Sequence, residues 1–157
     1  MPFPRSQLDI ICCRLEPDHP FTQSDFDRLH HEWQQVDPTE LVTGGFRRFY
    51  FDRQSQAVLY ANHQGGYRAF CPQCKRNVAA SFSHSVSQWR LGNARIFACP
   101  HCARSYPLED VKLRPHGAFA TGAVVFSAVG SADLTEYAES SLKNVLGAYQ
   151  LVYKRVG

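Results

Sequence analysis

Two short cysteine pairs constrain this chain more than any other feature: Cys71-Pro72-Gln73-Cys74 and Cys99-Pro100-His101-Cys102, separated by the 24 residues 75–98. A Cys-x-x-Cys turn delivers two sulfurs from one tight knuckle, and two knuckles complete a tetrahedral shell of four soft ligands. The amides of such turns also donate to the thiolates. Zn2+ suits this donor set, with Cys71, Cys74, Cys99 and Cys102 as ligands. Four thiolates close the shell, so the ion is expected to be structural and not to activate water. Disulfide bonding is the competing reading of six cysteines, and the doubled pair spacing argues for metal. The other two, Cys12 and Cys13, are adjacent in an apolar run; in a strand they point to opposite faces and are expected to pack.

The interval 75–98 is long enough for a hairpin. Residues 78–82 and 94–98 have strand character, and Arg90-Leu91-Gly92-Asn93-Ala94 supplies turn residues. Over about 70–107 the chain resembles the zinc-ribbon families, with knuckles similar to rubredoxin-type metal turns. That resemblance implies metal coordination by the four cysteines and nothing further, because ribbons serve many functions. Rubredoxin-like knuckles usually place glycine after the second cysteine, whereas this chain has Lys75 and Ala103. The departure argues against an iron electron-transfer role.

Outside the module, residues 8–15 are apolar and rich in strand formers, and Glu16-Pro17-Asp18-His19-Pro20 ends the run. Ser24 and Asp27 have capping-box spacing, and Phe26, Leu29, Trp33 and Val36 recur on one helical face before Pro38. Residues 46–51 and 57–60 read as two strands joined by a turn at Asp52-Arg53-Gln54-Ser55. After the module come a strand at 119–129 and a helix opened by Asp133 and Glu136. Leu134, Tyr137, Ala138, Leu142, Val145 and Leu146 share one face of that helix, Gly147 stops it, and a strand at 149–156 closes the chain.

The fold expected is therefore α+β, with residues 1–66 and 109–157 as two halves of a scaffold and 67–108 as an inserted ribbon. The element order resembles a ferredoxin-like plait, an antiparallel sheet with two helices. Such plaits host many functions, so the likeness implies no activity.

At 157 residues and 44% hydrophobic composition, one ordinary core is affordable. The formal charge of +3 falls to about +1 once four thiolates hold a dication. Its distribution says more: residues 16–40 hold seven acids with Arg28 the lone cation, whereas 67–108 hold Arg68, Lys75, Arg76, Arg90, Arg95 and Arg104 and, up to Leu108, no acid. Tyr67, Phe70, Trp89, Phe97 and Tyr106 are interleaved with those cations.

Two functions compete on these residues. One is nucleic-acid binding, in which Arg68, Lys75, Arg76, Arg90, Arg95 and Arg104 meet phosphates and aromatics such as Trp89 stack on bases. The other is a protein-binding adaptor or inhibitor, for example a toxin-neutralising protein, steered by opposed acidic and basic faces. The plainer alternative for the aromatics is packing inside the module, where little else can build a core.

No enzyme is expected. His19, His30, His31, His63, His84, His101 and His116 are dispersed, and there is no nucleophile elbow, phosphate-binding glycine loop or zinc-peptidase helix. His101 should face solvent and His30 should sit at a core edge. Asn62-His63-Gln64-Gly65-Gly66 reads more simply as a turn than as a site loop. With no apolar leader or spanning stretch, a cytoplasmic location is expected.

Overall fold

The apolar run near the start becomes an inner strand of a four-stranded sheet in the computed structural model, which describes residues 7–14, 22–63 and 66–156. The elements, in order, are β1 (Gln7–Arg14), α1 (Gln23–Glu32), β2 (Arg48–Tyr60), β3 (Arg68–Phe70), α2 (Ala79–Arg90) and β4 (Ile96–Ala98). Then follow β5 (Ser105–Pro107), β6 (Lys112–Arg114), β7 (Ala118–Ser127), α3 (Glu136–Leu146) and β8 (Tyr149–Val156). The chain divides into two compact units, 1–65 with 117–157, and 66–116. The class is mixed α+β with antiparallel sheets. Leu15, the expected break at 16–20 and Gln64-Gly65 lie outside the described residues.

In the first unit the sheet order is β2-β7-β1-β8, with every neighbouring pair antiparallel. Each helix therefore links two strands with a third strand between them: β7 between β1 and β2, and β1 between β7 and β8. Alternation along β1 and β7 serves both faces. Ile10, Cys12, Val124 and Phe126 pack with Leu29 and Trp33 of the α1 segment and with Ala138, Leu142, Val145 and Leu146 of α3. Ile11, Cys13, Ala123, Val125 and Val152 form the cluster on the other face. Cys12 and Cys13 thus pack on opposite faces, both fully buried, and burial pushes both thiols well above the usual range.

Three local expectations are corrected. The chain at 46–60 forms no hairpin: β2 is one strand, and both of its parts pair with β7. Arg53 opposes Gly122 and Val58 opposes Ala120, so β2 accommodates three more residues than its partner. The four residues 52–55 contain no glycine or Asn-Gly pair to supply a hairpin turn, and a bulge absorbs the extra length instead. The capping box of α1 is Thr22 with Asp25, not Ser24 with Asp27. Arg14 decides between these overlapping frames by pairing with Asp25 at 3.3 Å while donating to the Val145 and Leu146 carbonyls at the end of α3. Helix α3 is capped by Thr135, not opened by Asp133 with Glu136: the Thr135 hydroxyl accepts from the Ala138 amide at 3.2 Å, and Gly147 ends the helix at φ 71° as expected.

Gly44 and Gly130 bring two backbone segments of this unit into close approach. A Cβ on Gly130 would overlap the Gly44 carbonyl, and the Gly130 amide donates to the Gly45 carbonyl at 2.8 Å. The obstruction is backbone and cannot rotate away. Gly130→Ala is expected to lower stability by about 1–3 kcal/mol, read by denaturant unfolding.

Candidate metal centre

In the second unit both cysteine pairs sit at tips closed in the same way. The Cys71 amide donates to the Arg76 carbonyl at 3.0 Å and the Lys75 amide returns to the Cys71 carbonyl at 3.0 Å. Cys99 and Arg104, and Ala103 and Cys99, repeat this pair of bonds at 2.9 Å each. Closing the turn so tightly puts the residue after each second cysteine in the left-handed region: Lys75 at φ 66° and Ala103 at φ 61°. These are the positions at which the resemblance to rubredoxin-type turns leads one to expect glycine.

The two tips bring the four sulfurs within 4.8 Å of one another. Cys71 Sγ lies 3.8 Å from Cys102 Sγ, and Cys74 Sγ lies 3.7 Å from Cys99 Sγ. A tetrahedral ion bonded to four thiolates at about 2.3 Å separates the sulfurs by about 3.8 Å. The four residues therefore have the chemistry and the spacing to hold a metal ion. No disulfide joins any of the cysteines among the described residues.

Hydrogen-bond donors converge on the first cysteine of each tip. Cys71 Sγ accepts from the amides of Gln73 and Cys74 at 3.4 and 3.5 Å and from the Tyr106 hydroxyl at 2.9 Å; Cys99 Sγ accepts from the His101 amide at 3.4 Å. Burial raises the Cys71 thiol, but Tyr106 and the two amides outweigh it and bring Cys71 down to about 6. Cys99 is likewise lowered, burial being outweighed by the Cys102 and His101 amides. Cys74 goes the other way: an Arg76 amide pulls it down, yet burial and the neighbouring sulfurs push it up to about 11. Proton-bearing sulfurs so close together cannot all ionise on their own, and a bound cation removes that conflict.

The interval between the tips is not a hairpin. Residues 79–90 form α2, which buries Phe82 and Val86. Ser81, Ser83, Ser85 and Ser87 alternate with Phe82, His84 and Val86 and so imitate a strand, while Phe82, Val86 and Trp89 carry the helical spacing. The short strands pair as β4 with β5 and β3 with β6.

The aromatics divide by role. Phe97 is fully buried and contacts the rings of Phe82 and Tyr106, and Tyr67 packs on Phe82. They pack the module and leave Phe97 no ring face for a base. Tyr106 connects this ring cluster to Cys71, a role the sequence signalled only as an aromatic after the second knuckle. Trp89 is half-buried and Phe70 half-buried.

Arg68, Lys75, Arg76, Arg90 and Arg104 are exposed. Arg95 pairs with Glu109 at 3.3 Å, Lys75 donates to the Pro72 carbonyl at 2.8 Å, and Arg104 donates to Gln73 at 3.3 Å. Lys112 and Arg114, exposed on β6, belong to the same unit and were missed because the module was expected to stop at 108. Alternation in Val111-Lys112-Leu113-Arg114 is the signal that marks them. His101 is exposed, and His30 stacks on Phe26 with ring centroids 5.7 Å apart. No helix among the described residues is long and apolar enough to cross a membrane. Comparison with protein-family models, curated proteins and solved structures finds no match to the chain.

Cys99→Ser is expected to abolish stoichiometric metal binding, measured by elemental analysis, and to unfold residues 66–116, because an incomplete shell cannot join the tips. Tyr106→Phe should keep the fold and weaken metal affinity about tenfold in competition with a chromophoric chelator, since only the hydrogen bond to Cys71 is removed.

Proposed function

We propose that the chain is a non-enzymatic nucleic-acid-binding protein in which a structural Zn2+ ion stiffens a ribbon-like module that carries the binding surface. Two sulfur separations of 3.7 and 3.8 Å suit a tetrahedral ion and a shell of four thiolates suits Zn2+, while the two knuckles closed by the same backbone bonds, the second of them on the β4/β5 hairpin, support the zinc-ribbon likeness. The interleaved order β2-β7-β1-β8 supports reading the scaffold as a ferredoxin-like plait.

The observation that carries the functional reading is the charge of the second unit. Residues 66–116 hold eight arginines and lysines against Glu109 and Asp110. Among the described residues only Arg95 of these cations is ion-paired. Unpaired exposed cations on a stiff module attract a polyanion at long range and release its counterions on contact. No general acid, base or nucleophile of an enzyme is needed in this account.

One observation favours the protein-binding adaptor as a second reading. Leu91 is 78% exposed and Ile96 is 57% exposed, large apolar surfaces of a kind that docks on protein. Salt separates the two readings. The metal-loaded chain is expected to bind a labelled nucleic acid with an affinity that falls steeply between about 50 and 200 mM salt, and to lose that binding on chelation. Absence of nucleic-acid binding, with a salt-resistant complex with a defined protein, would replace this reading with the adaptor.

A further inference from the structure

From the β3/β6 pair we infer that its outer face is a binding site for single-stranded nucleic acid, gripping phosphates with Arg68, Lys112 and Arg114 and stacking a base on Phe70. The inference rests on the nucleic-acid reading above and names the surface and the form of the ligand.

Register places these four side chains together. Arg68 opposes Arg114, Ala69 opposes Leu113 and Phe70 opposes Lys112. Ala69 and Leu113 are buried, so the alternate positions on both strands share the outer face. Arg68, Lys112 and Arg114 are exposed there, and no ion pair holds any of them among the described residues.

Two arginines directly opposite one another repel, and cross-strand like charges destabilise a sheet. A ladder as short as β3/β6 gains nothing structural from that arrangement. An anion bridging Arg68 and Arg114 turns the repulsion into a two-pronged grip, and Arg donates to phosphate through its planar fork. Lys112 stands two residues from Arg114 on the same face, about 7 Å along the strand, and offers a second cation for the next phosphate.

Phe70 decides the form of the ligand. Tyr67, Phe82, Phe97 and Tyr106 of this unit all have ring partners, whereas Phe70 has none among the described residues and is only half-buried. A half-exposed ring beside three cations is a platform for an unpaired base. Base pairing and stacking hide that surface in a duplex.

The test uses the full-length, zinc-loaded chain and fluorescein-labelled oligothymidine, with a labelled mixed-sequence duplex for comparison, read by fluorescence anisotropy across salt. The single strand should bind more tightly than the duplex. Arg68→Gln with Arg114→Gln should weaken binding about tenfold at low salt and flatten the log–log salt slope by about 1.4. The pair Arg28→Gln with Lys143→Gln, which removes the same charge from α1 and α3, should leave the slope unchanged. Phe70→Leu should weaken binding about fivefold or more at an unchanged slope, while Phe70→Trp, which keeps a stacking surface, should retain it.

Tighter binding to the duplex overturns the proposal. So does an Arg68/Arg114 variant that behaves as the Arg28/Lys143 control does, or equal losses for Phe70→Leu and Phe70→Trp; in these cases the nucleic-acid reading stands and this surface does not. Failure of the unaltered chain to bind either nucleic acid removes the broader reading as well.

Discussion

Convergence of four sulfurs from two turns distant in sequence is the constraint on which the second unit depends. That unit spans only residues 66–116, and its large fully buried side chains are Phe82, Phe97 and Leu108. A chain of about fifty residues buries too little apolar surface to hold a loop-rich arrangement by hydrophobic packing alone. Cys71 and Cys99 are themselves buried, so the sulfur cluster is part of this core. Tyr106 joins the two components, with its ring against Phe97 and its hydroxyl on Cys71 Sγ. A metal held here therefore orders the aromatic packing along with the knuckles.

The knuckles were legible in the sequence because their information is local: the cysteine spacing specifies both the turn and its chemistry. The inner strand β1 and the glycine stop at 147 were legible for the same reason. What escaped was decided by partners far along the chain. Residues 54–57 bulge because β7 is already paired to both flanks of β2, which local turn residues cannot reveal. Thr22 and Ser24 offer equivalent capping frames, and the choice is made by Arg14, which also holds the end of α3. In α2, serines at alternate positions concealed a helical apolar stripe, and only packing distinguishes period 2 from period 3.6 when the intervening residues are small. The four metal-ligand candidates came together as expected, whereas the surrounding aromatics proved to be mostly core.

Lys75 and Ala103 show how far the tips shape their own backbone. Both residues take a left-handed conformation that costs an L-amino acid roughly 1 kcal/mol relative to glycine. They do so at equivalent points of two turns whose paired hydrogen bonds have the same pattern. Turn closure, not residue preference, sets the conformation. The coordination geometry needed to bring two sulfurs from each tip to one centre is a sufficient reason for the strain to persist.

Charge links this centre to the surface. The second unit holds eight cations against two acids, and self-repulsion among them opposes a compact fold. Four thiolates around a dication add a formal charge of about −2. Two of the sulfurs are buried, so that negative charge lies inside the unit while the cations of β3 and β6 remain outside. Loading the centre thus reduces the net repulsion without neutralising any outward-facing arginine or lysine. A carboxylate beside Arg68 or Arg114 would relieve the same repulsion, but it would also occupy the groups that an external anion needs. On the proposed nucleic-acid reading, a metal-loaded anionic centre and the unpaired external cations are two parts of one arrangement, in which the centre offsets repulsion from within and the surface stays positive.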